Sequence, residues 1–372
     1  MCSSDLTYHN NLKAEGNTLR DYQEDVVKLA LKTGRGICLM GTGAGKTITT
    51  ASLVENYYLN STNRSAFKCL VIVPDLGLVT QTYNDFLSYG VSFKPTKWTG
   101  KHEPDLTSNV FVVNIGILQR KFEENEWLQH IDLLIVDECH KMKAEVSGKL
   151  ISKIHTPHKY GFTGTLPDKN GDRWAVLGKL GPVIYEKSSY ELRQENYLTN
   201  VEVKCININY KPVPRMKYRD ELDFLYESNF RNNIIKEISQ KFPNNILILI
   251  NHIRHGEILM EHLKGISKKV FFIQGKVEVE EREKIKEIIE NNSDVVCIAL
   301  SSIFSTGVNI KNLHLIMFAA GGKAFIRTVQ SIGRGLRLHP SKVKLHIFDL
   351  VDNLRYGNEH GEARKMIYQR EK

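Results

Sequence analysis

The chain has 372 residues, 41% of them apolar and 25% charged, a balance that suits about two globular domains and excludes long disorder. No apolar run approaches the ~20 residues that span a bilayer, and the polar start MCSSDLTYHNN lacks the basic and apolar blocks of a secretion signal. A cytoplasmic protein without a membrane segment is therefore expected, and the net charge of +9, concentrated toward the C-terminus, suits a polyanionic partner.

In chain order, short apolar runs alternate with longer mixed segments, and the rhythm occurs twice. The first half offers strands at Ile37–Met40, Leu70–Val73, Val110–Val113, Leu133–Val136 and Tyr160–Thr163. The second offers Ile246–Ile250, Val270–Ile273, Val295–Ala299, Leu315–Phe318 and Leu345–Phe348. Continuous apolar runs without in/out alternation mark strands covered on both faces, and the spacers fit crossover helices such as Glu278–Glu290. Two α/β domains with mainly parallel sheets follow. The division expected is an extension over 1–16, a first domain over 17–190, a linker over 191–205 and a second domain over 206–372. Val201–Tyr210 reads either as a strand opening the second domain or as an edge addition to the first. The tail after Asp352 lacks a clear core pattern, with a short helix at Ala363–Arg370. The six cysteines are scattered without a CxxC pair, which reads as buried free thiols rather than zinc ligands or disulfides.

Three segments carry chemistry. Gly41-Thr42-Gly43-Ala44-Gly45-Lys46-Thr47 follows a strand and opens a helical run. Small residues let backbone N–H groups close around phosphates, Lys46 can reach the β/γ-phosphates, and the Thr47 hydroxyl can ligate Mg²⁺. The strict phosphate-loop pattern wants glycine where this chain has Met40, and a plain flexible turn is the bland alternative. Leu133–Val136 runs into Asp137-Glu138-Cys139-His140, placing two carboxylates at the ligand edge of a parallel sheet, Asp137 for the Mg²⁺ shell and Glu138 for the attacking water. Gln330-Ser331-Ile332-Gly333-Arg334-Gly335-Leu336-Arg337 sets two arginines three apart, which reads as a basic surface helix or as arginine fingers supplied by the second domain. His252, His255 and His262 lack acids or cysteines to complete a metal site, and Trp98 and Phe93 suit either base stacking or a core.

Together these segments resemble superfamily 2 DExH helicases, in the family's order over nearly all of residues 19–350. Ile303–His314, Gln330–Leu338 and Phe348–Asp352 are most similar to the UvsW-type helicases of T-even-like bacteriophages. The resemblance implies two tandem RecA-like domains and an ATP site in which Arg20 and Gln23 recognise adenine. Gly41, Thr42, Gly43, Ala44, Gly45, Lys46 and Thr47, with Gly307, would bind the nucleotide, and Thr47 and Asp137 the Mg²⁺. It implies catalysis by Lys46, Glu138, Gln330, Arg334 and Arg337, and coupling through His140, Thr163 and Thr165. Pro74, Gln81, Thr99, Gly100, Ser305 and Thr306 would meet nucleic acid. The expected activity is an ATP-dependent DNA helicase or translocase acting on branched DNA in recombination, repair or replication. An RNA-directed DExH helicase and a nucleic-acid clamp with impaired ATPase activity are the alternatives.

Overall fold

In the computed structural model, residues 6–10, 12, 18–41, 43–100, 102–143, 145–167, 169–198, 200–273, 278–304, 310, 312–319 and 344–370 are described. The chain divides into two compact units, Met1–Ser188 and Ser189–Lys372. Among the described residues no helix is long and apolar enough to cross a membrane.

The first unit runs α1 (Asp21–Thr33), β1 (Arg35–Met40), α2 (Lys46–Asn60), β2 (Cys69–Val73), α3 (Leu76–Ser88), β3 (Pro95–Trp98) and β4 (Val110–Asn114). It continues through α4 (Ile115–Lys121), β5 (Leu133–Asp137), α5 (Glu145–Lys153), β6 (His158–Thr163), α6 (Asn170–Leu180) and β7 (Val183–Lys187). Its sheet has the order β3-β4-β2-β5-β6-β1-β7, with every pairing parallel. The central strands are apolar because helices cover both faces: Leu133, Leu134, Ile135 and Val136 are fully buried. Each such side chain contributes about 1.5–3 kcal/mol relative to exposure. Parallel strands aim all their C-terminal ends at one edge, and that edge carries the loops after β1, β2, β3, β5 and β6.

The second unit runs α7 (Ser189–Gln194), β8 (Asn200–Ile208), α8 (Tyr218–Glu227), α9 (Asn229–Lys241), β9 (Ile246–Ile250) and α10 (Ile253–His262). It closes with β10 (Lys269–Ile273), α11 (Glu278–Asn291), β11 (Val295–Leu300), β12 (Leu315–Phe318), β13 (Lys344–Asp352) and α12 (Arg355–Arg370). The sheet order is β10-β11-β9-β12-β13-β8, again all parallel. Residues 191–205, expected as a linker, contain most of α7 and the first part of β8, which pairs with β13 along its whole length. Most of Val201–Tyr210 thus falls in β8, the edge strand of the second sheet, which is the first of the two readings its sequence allowed.

The tail after Asp352 corrects the sequence expectation. It forms a helix of 16 residues, twice the segment anticipated, and it is held by buried polar contacts as well as by Tyr368 in the apolar core. The Arg364 guanidinium donates through Nε to Asp349 Oδ2 at 2.8 Å, and the Tyr368 hydroxyl donates to the same oxygen at 2.8 Å, all three buried. Asp352, on the opposite face of β13, accepts from Arg231 Nε of α9 at 3.0 Å. One strand therefore ties down a helix on each side of the sheet.

Candidate nucleotide site

Met40, the residue that replaces glycine in the phosphate-loop pattern, is the last residue of β1 and fully buried, so the turn itself starts at Gly41. Gly41 N donates to Lys187 O at 2.8 Å, anchoring the turn to the end of β7. Gly43 and Gly45 take φ of 84° and 77°, which side-chain-bearing residues rarely adopt. Gly45 is doubly required, because a Cβ there would lie 2.4 Å from Gln23 Nε2. Gln23 itself is 4% exposed; its Nε2 donates to Ala44 O at 2.7 Å and its Oε1 accepts from Arg20 N at 2.9 Å. Tyr22, which sequence reasoning did not single out, donates its hydroxyl to the same Ala44 carbonyl at 2.9 Å. The start of α1 thus holds the loop that precedes α2.

The start of α2 fits an anion. Side-chain oxygens cap α3, α4 and α9 through Asp75, Asn114 and Ser228. α2 begins at Gly45 with no side-chain cap and no acid in its first turn, as α10 does at His252, and α2 alone of the two follows a glycine-rich turn. Its leading N–H groups keep their positive end of the helix dipole for a phosphate.

Around this loop the expected residues converge. Lys46 Nζ lies 3.4 Å from Glu138 Oε1, and Glu138 Oε2 lies 3.3 Å from His140 Nδ1. His140 Nδ1 is also 2.8 Å from Thr163 Oγ1, which donates to Thr165 O at 2.9 Å. A continuous polar chain thus links the phosphate loop, the end of β5 and the end of β6. Glu138 is 4% exposed and adopts φ 48°, with its N–H donating to Asp137 Oδ1 at 2.9 Å. Asp137 is half-buried at the end of β5, and Thr47 is half-buried in the first turn of α2. A carboxylate and a hydroxyl of this kind suit a hard cation.

Gly161 on β6 is a second residue that sequence reasoning passed over. A Cβ there would meet Cys139 Sγ at 2.8 Å and Leu180 Cδ1 at 2.7 Å, so only glycine lets β6 pass beneath the DECH turn. Burial raises the Cys139 thiol far above its ordinary pKa, first by desolvation and then by the neighbouring Asp137 and Glu138 carboxylates. It packs and does not react.

Pro74 and the Thr99-Gly100 pair stand at the same edge, after β2 and β3. Given the strand order, β2 and β1 are three spacings apart, roughly 14 Å at ~4.8 Å each. Gln81 is exposed on α3, Thr99 N donates to His102 O at 2.9 Å, and a side chain at Gly100 would meet nothing within 4 Å. Trp98 and Phe93 are 0% and 3% exposed and belong to the core, not to a stacking surface. Ser301 Oγ donates to Asn251 Oδ1 at 2.7 Å, joining the C-terminal ends of β11 and β9 in the second unit. Thr42, Ser305, Thr306, Gly307, Gln330, Arg334 and Arg337 lie outside the described residues. Among the described residues no cluster of His, Cys, Asp or Glu could hold a metal, and His255 is buried against Tyr226. The described cysteines are free.

Comparison with known proteins gives the same picture. Residues 17–168 match the family described as type III restriction enzyme, res subunit, and residues 230–339 match the helicase conserved C-terminal domain. The chain carries the paired domains of a helicase core. This helicase core is 29% identical over 345 residues to the ATP-dependent DNA helicase uvsW of Enterobacteria phage T4, across 89% of this chain and 68% of that protein. It is 22% identical over 363 residues to the DNA 3'-5' translocase XPB2 of Sulfurisphaera tokodaii, across 86% of this chain and 78% of that protein. Two other curated relatives are spanned over 64% and 51% of their length. In fold it matches the Pyrococcus furiosus Hef helicase domain with a TM-score of 0.65 at 14% identity, covering 94% of this chain and 98% of that one.

Proposed function

We propose that this helicase core is an ATP-driven motor that translocates on DNA and remodels or unwinds branched DNA, working in the cytoplasm. The observation that supports this reading best is the polar chain Lys46–Glu138–His140–Thr163. It joins the residue that grips phosphate to a loop at the next strand end, so a change at the nucleotide is felt along the sheet edge.

The roles follow from the groups present. Lys46 and the leading N–H groups of α2 bind the nucleotide's β- and γ-phosphates, while Arg20 and Gln23 meet the adenine. Thr47 and Asp137 would hold Mg²⁺, and the ion when bound would supply charge neutralisation at the phosphate oxygens. Glu138 orients the attacking water and takes up its proton. When Lys46 turns to phosphate, its attraction for Glu138 is shared, and the His140–Thr163–Thr165 link carries that change toward the loops that grip DNA. Pro74, Gln81, Thr99 and Gly100 form the part of that grip on the first unit. Contacts of this kind to phosphates make binding insensitive to sequence and sensitive to salt.

ATP turnover measured with single-stranded, duplex and forked DNA and with RNA tests the reading. Forked DNA is expected to stimulate most. Greater stimulation by RNA would replace this reading with an RNA-directed one, and the absence of any turnover would replace it with a clamp.

A further inference from the structure

The segment between β8 and α8 includes Lys-Pro-Val-Pro-Arg-Met-Lys over 211–217, three cations without an acid. With the turn between β13 and α12 it encloses a cleft of about 240 Å³, into which Lys211, Arg215 and Arg355 contribute. The cleft is at the C-terminal ends of β8 and β13, the edge of a parallel sheet where ligands bind.

Its walls are fixed. Asn353 clamps the start of the loop, with Oδ1 accepting from Tyr210 N at 2.8 Å and Nδ2 donating to Tyr210 O at 3.3 Å. The Tyr210 hydroxyl donates to Asp352 Oδ1 at 2.9 Å, and Asn353 N donates to Ile208 O at 3.0 Å. Pro212 and Pro214 fix their own φ and keep Lys211 and Val213 extended, so the two flanking cations are presented at little entropic cost. Beneath lies a small apolar cluster of Leu225, Tyr226 and Leu354. The one acid lining the cleft is Glu221, and its carboxylate is spent on Tyr356 N and Gly357 N at 3.2 and 2.7 Å. Neither Lys211, Arg215 nor Arg355 forms an ion pair among the described residues, although elsewhere in this unit Arg254 engages Asp223 and Glu227 and Lys344 engages Glu202.

We propose that this cleft binds the phosphates of a single DNA strand, a contact by which the second unit grips its track. It rests on the reading of the chain as a DNA motor. The ligand chemistry is phosphate, three cations converging without a competing free carboxylate, and a nucleotide's phosphates would be the other source.

The test compares the full chain with the Lys211→Gln/Arg215→Gln/Arg355→Gln variant in binding a fluorescent oligothymidylate across about 50–200 mM salt. A control variant, Lys236→Gln/Lys241→Gln/Lys264→Gln, removes the same charge near the N-terminal edge of the sheet. Circular dichroism checks that each stays folded, Lys236 being half-buried and the other five side chains exposed. At ~0.7 per phosphate on a single strand, the cleft variant should show a log K against log salt slope shallower by about 2, and the control should keep the parent slope. DNA-free ATPase should keep its KM for ATP. An unchanged slope in the cleft variant, or an equal loss in the control, overturns the proposal while leaving the motor reading intact. A raised KM for ATP with an unchanged slope assigns the cleft to nucleotide instead. A parent chain that binds no DNA removes both.

Discussion

Glu138 occupies the left-handed backbone region at φ 48°, a conformation that costs a non-glycine residue about 1–3 kcal/mol. The strain is confined to the residue that also carries the ion pair with Lys46 and the contact with His140. Nothing in the spelling DECH announces that angle, although the residue types did announce the chemistry. Glu138→Gln is expected to keep ATP binding, since the phosphate loop and α2 are untouched. Hydrolysis should fall by ~10²–10⁴ once the base is gone, as read by single-turnover kinetics beside equilibrium nucleotide binding. His255 teaches the opposite lesson. It is wholly buried, stacks on Tyr226 at 4.4 Å, and its ring nitrogens find no hydrogen-bond partner among the described residues. Burial, reinforced by Arg231 and His252, pulls its pKa well below the ordinary value. The unfolded chain therefore takes up a proton near pH 6.5 that the folded chain refuses. The stability is full above that pH and erodes below it, by up to about 1.4 kcal/mol per pH unit. His255→Phe keeps the stacking surface and should flatten that acid limb in urea titrations at pH 5 and pH 7.5. An unaltered limb would place the acid sensitivity elsewhere.

At the scale of elements, every strand proposed from an apolar run is present, because strands covered on both faces must be apolar throughout. The strands that went unmarked, β3 and β7, are both sheet edges, and β8, left between two readings, is a third. An edge strand needs only half a covering. β3 alternates between buried and half-buried positions, and β7 has no fully buried residue. The same logic hid two docked termini. Thr7 N and His9 N donate to the side chains of Asn60 and Asn56, fastening the start of the chain to α2. α12 is fastened by Arg364 and Tyr368 to Asp349, and a hydrophobic pattern cannot report an ion pair. Arg364→Met should cost about 3–5 kcal/mol, because it leaves the Asp349 carboxylate buried without its cation. Adding Asp349→Leu should recover much of the loss, and urea unfolding of the single and double variants measures both.

In the first unit the phosphate loop, the DECH turn and Thr163–Thr165 were legible because each is tied to a strand end, and parallel strands bring those ends to one edge. Arg334 and Arg337 lie outside the described residues, so their expected part in hydrolysis is tested in the full chain. Arg334→Ala should lower DNA-stimulated turnover by ~10³ while ATP binding changes far less, and turnover close to the parent's would remove arginine assistance from the mechanism. The two aspartates of β13 carry a further consequence. Asp349 and Asp352 hold helices on opposite faces of a strand whose neighbours are β12 and β8. Chain ends ordinarily fray, and their amides exchange with solvent long before those of a core. Here the amides of α12 should exchange at nearly the rate of β13, since the helix cannot lift away without stranding Asp349. Hydrogen exchange would then see the last helix and the strand before it open in a single event.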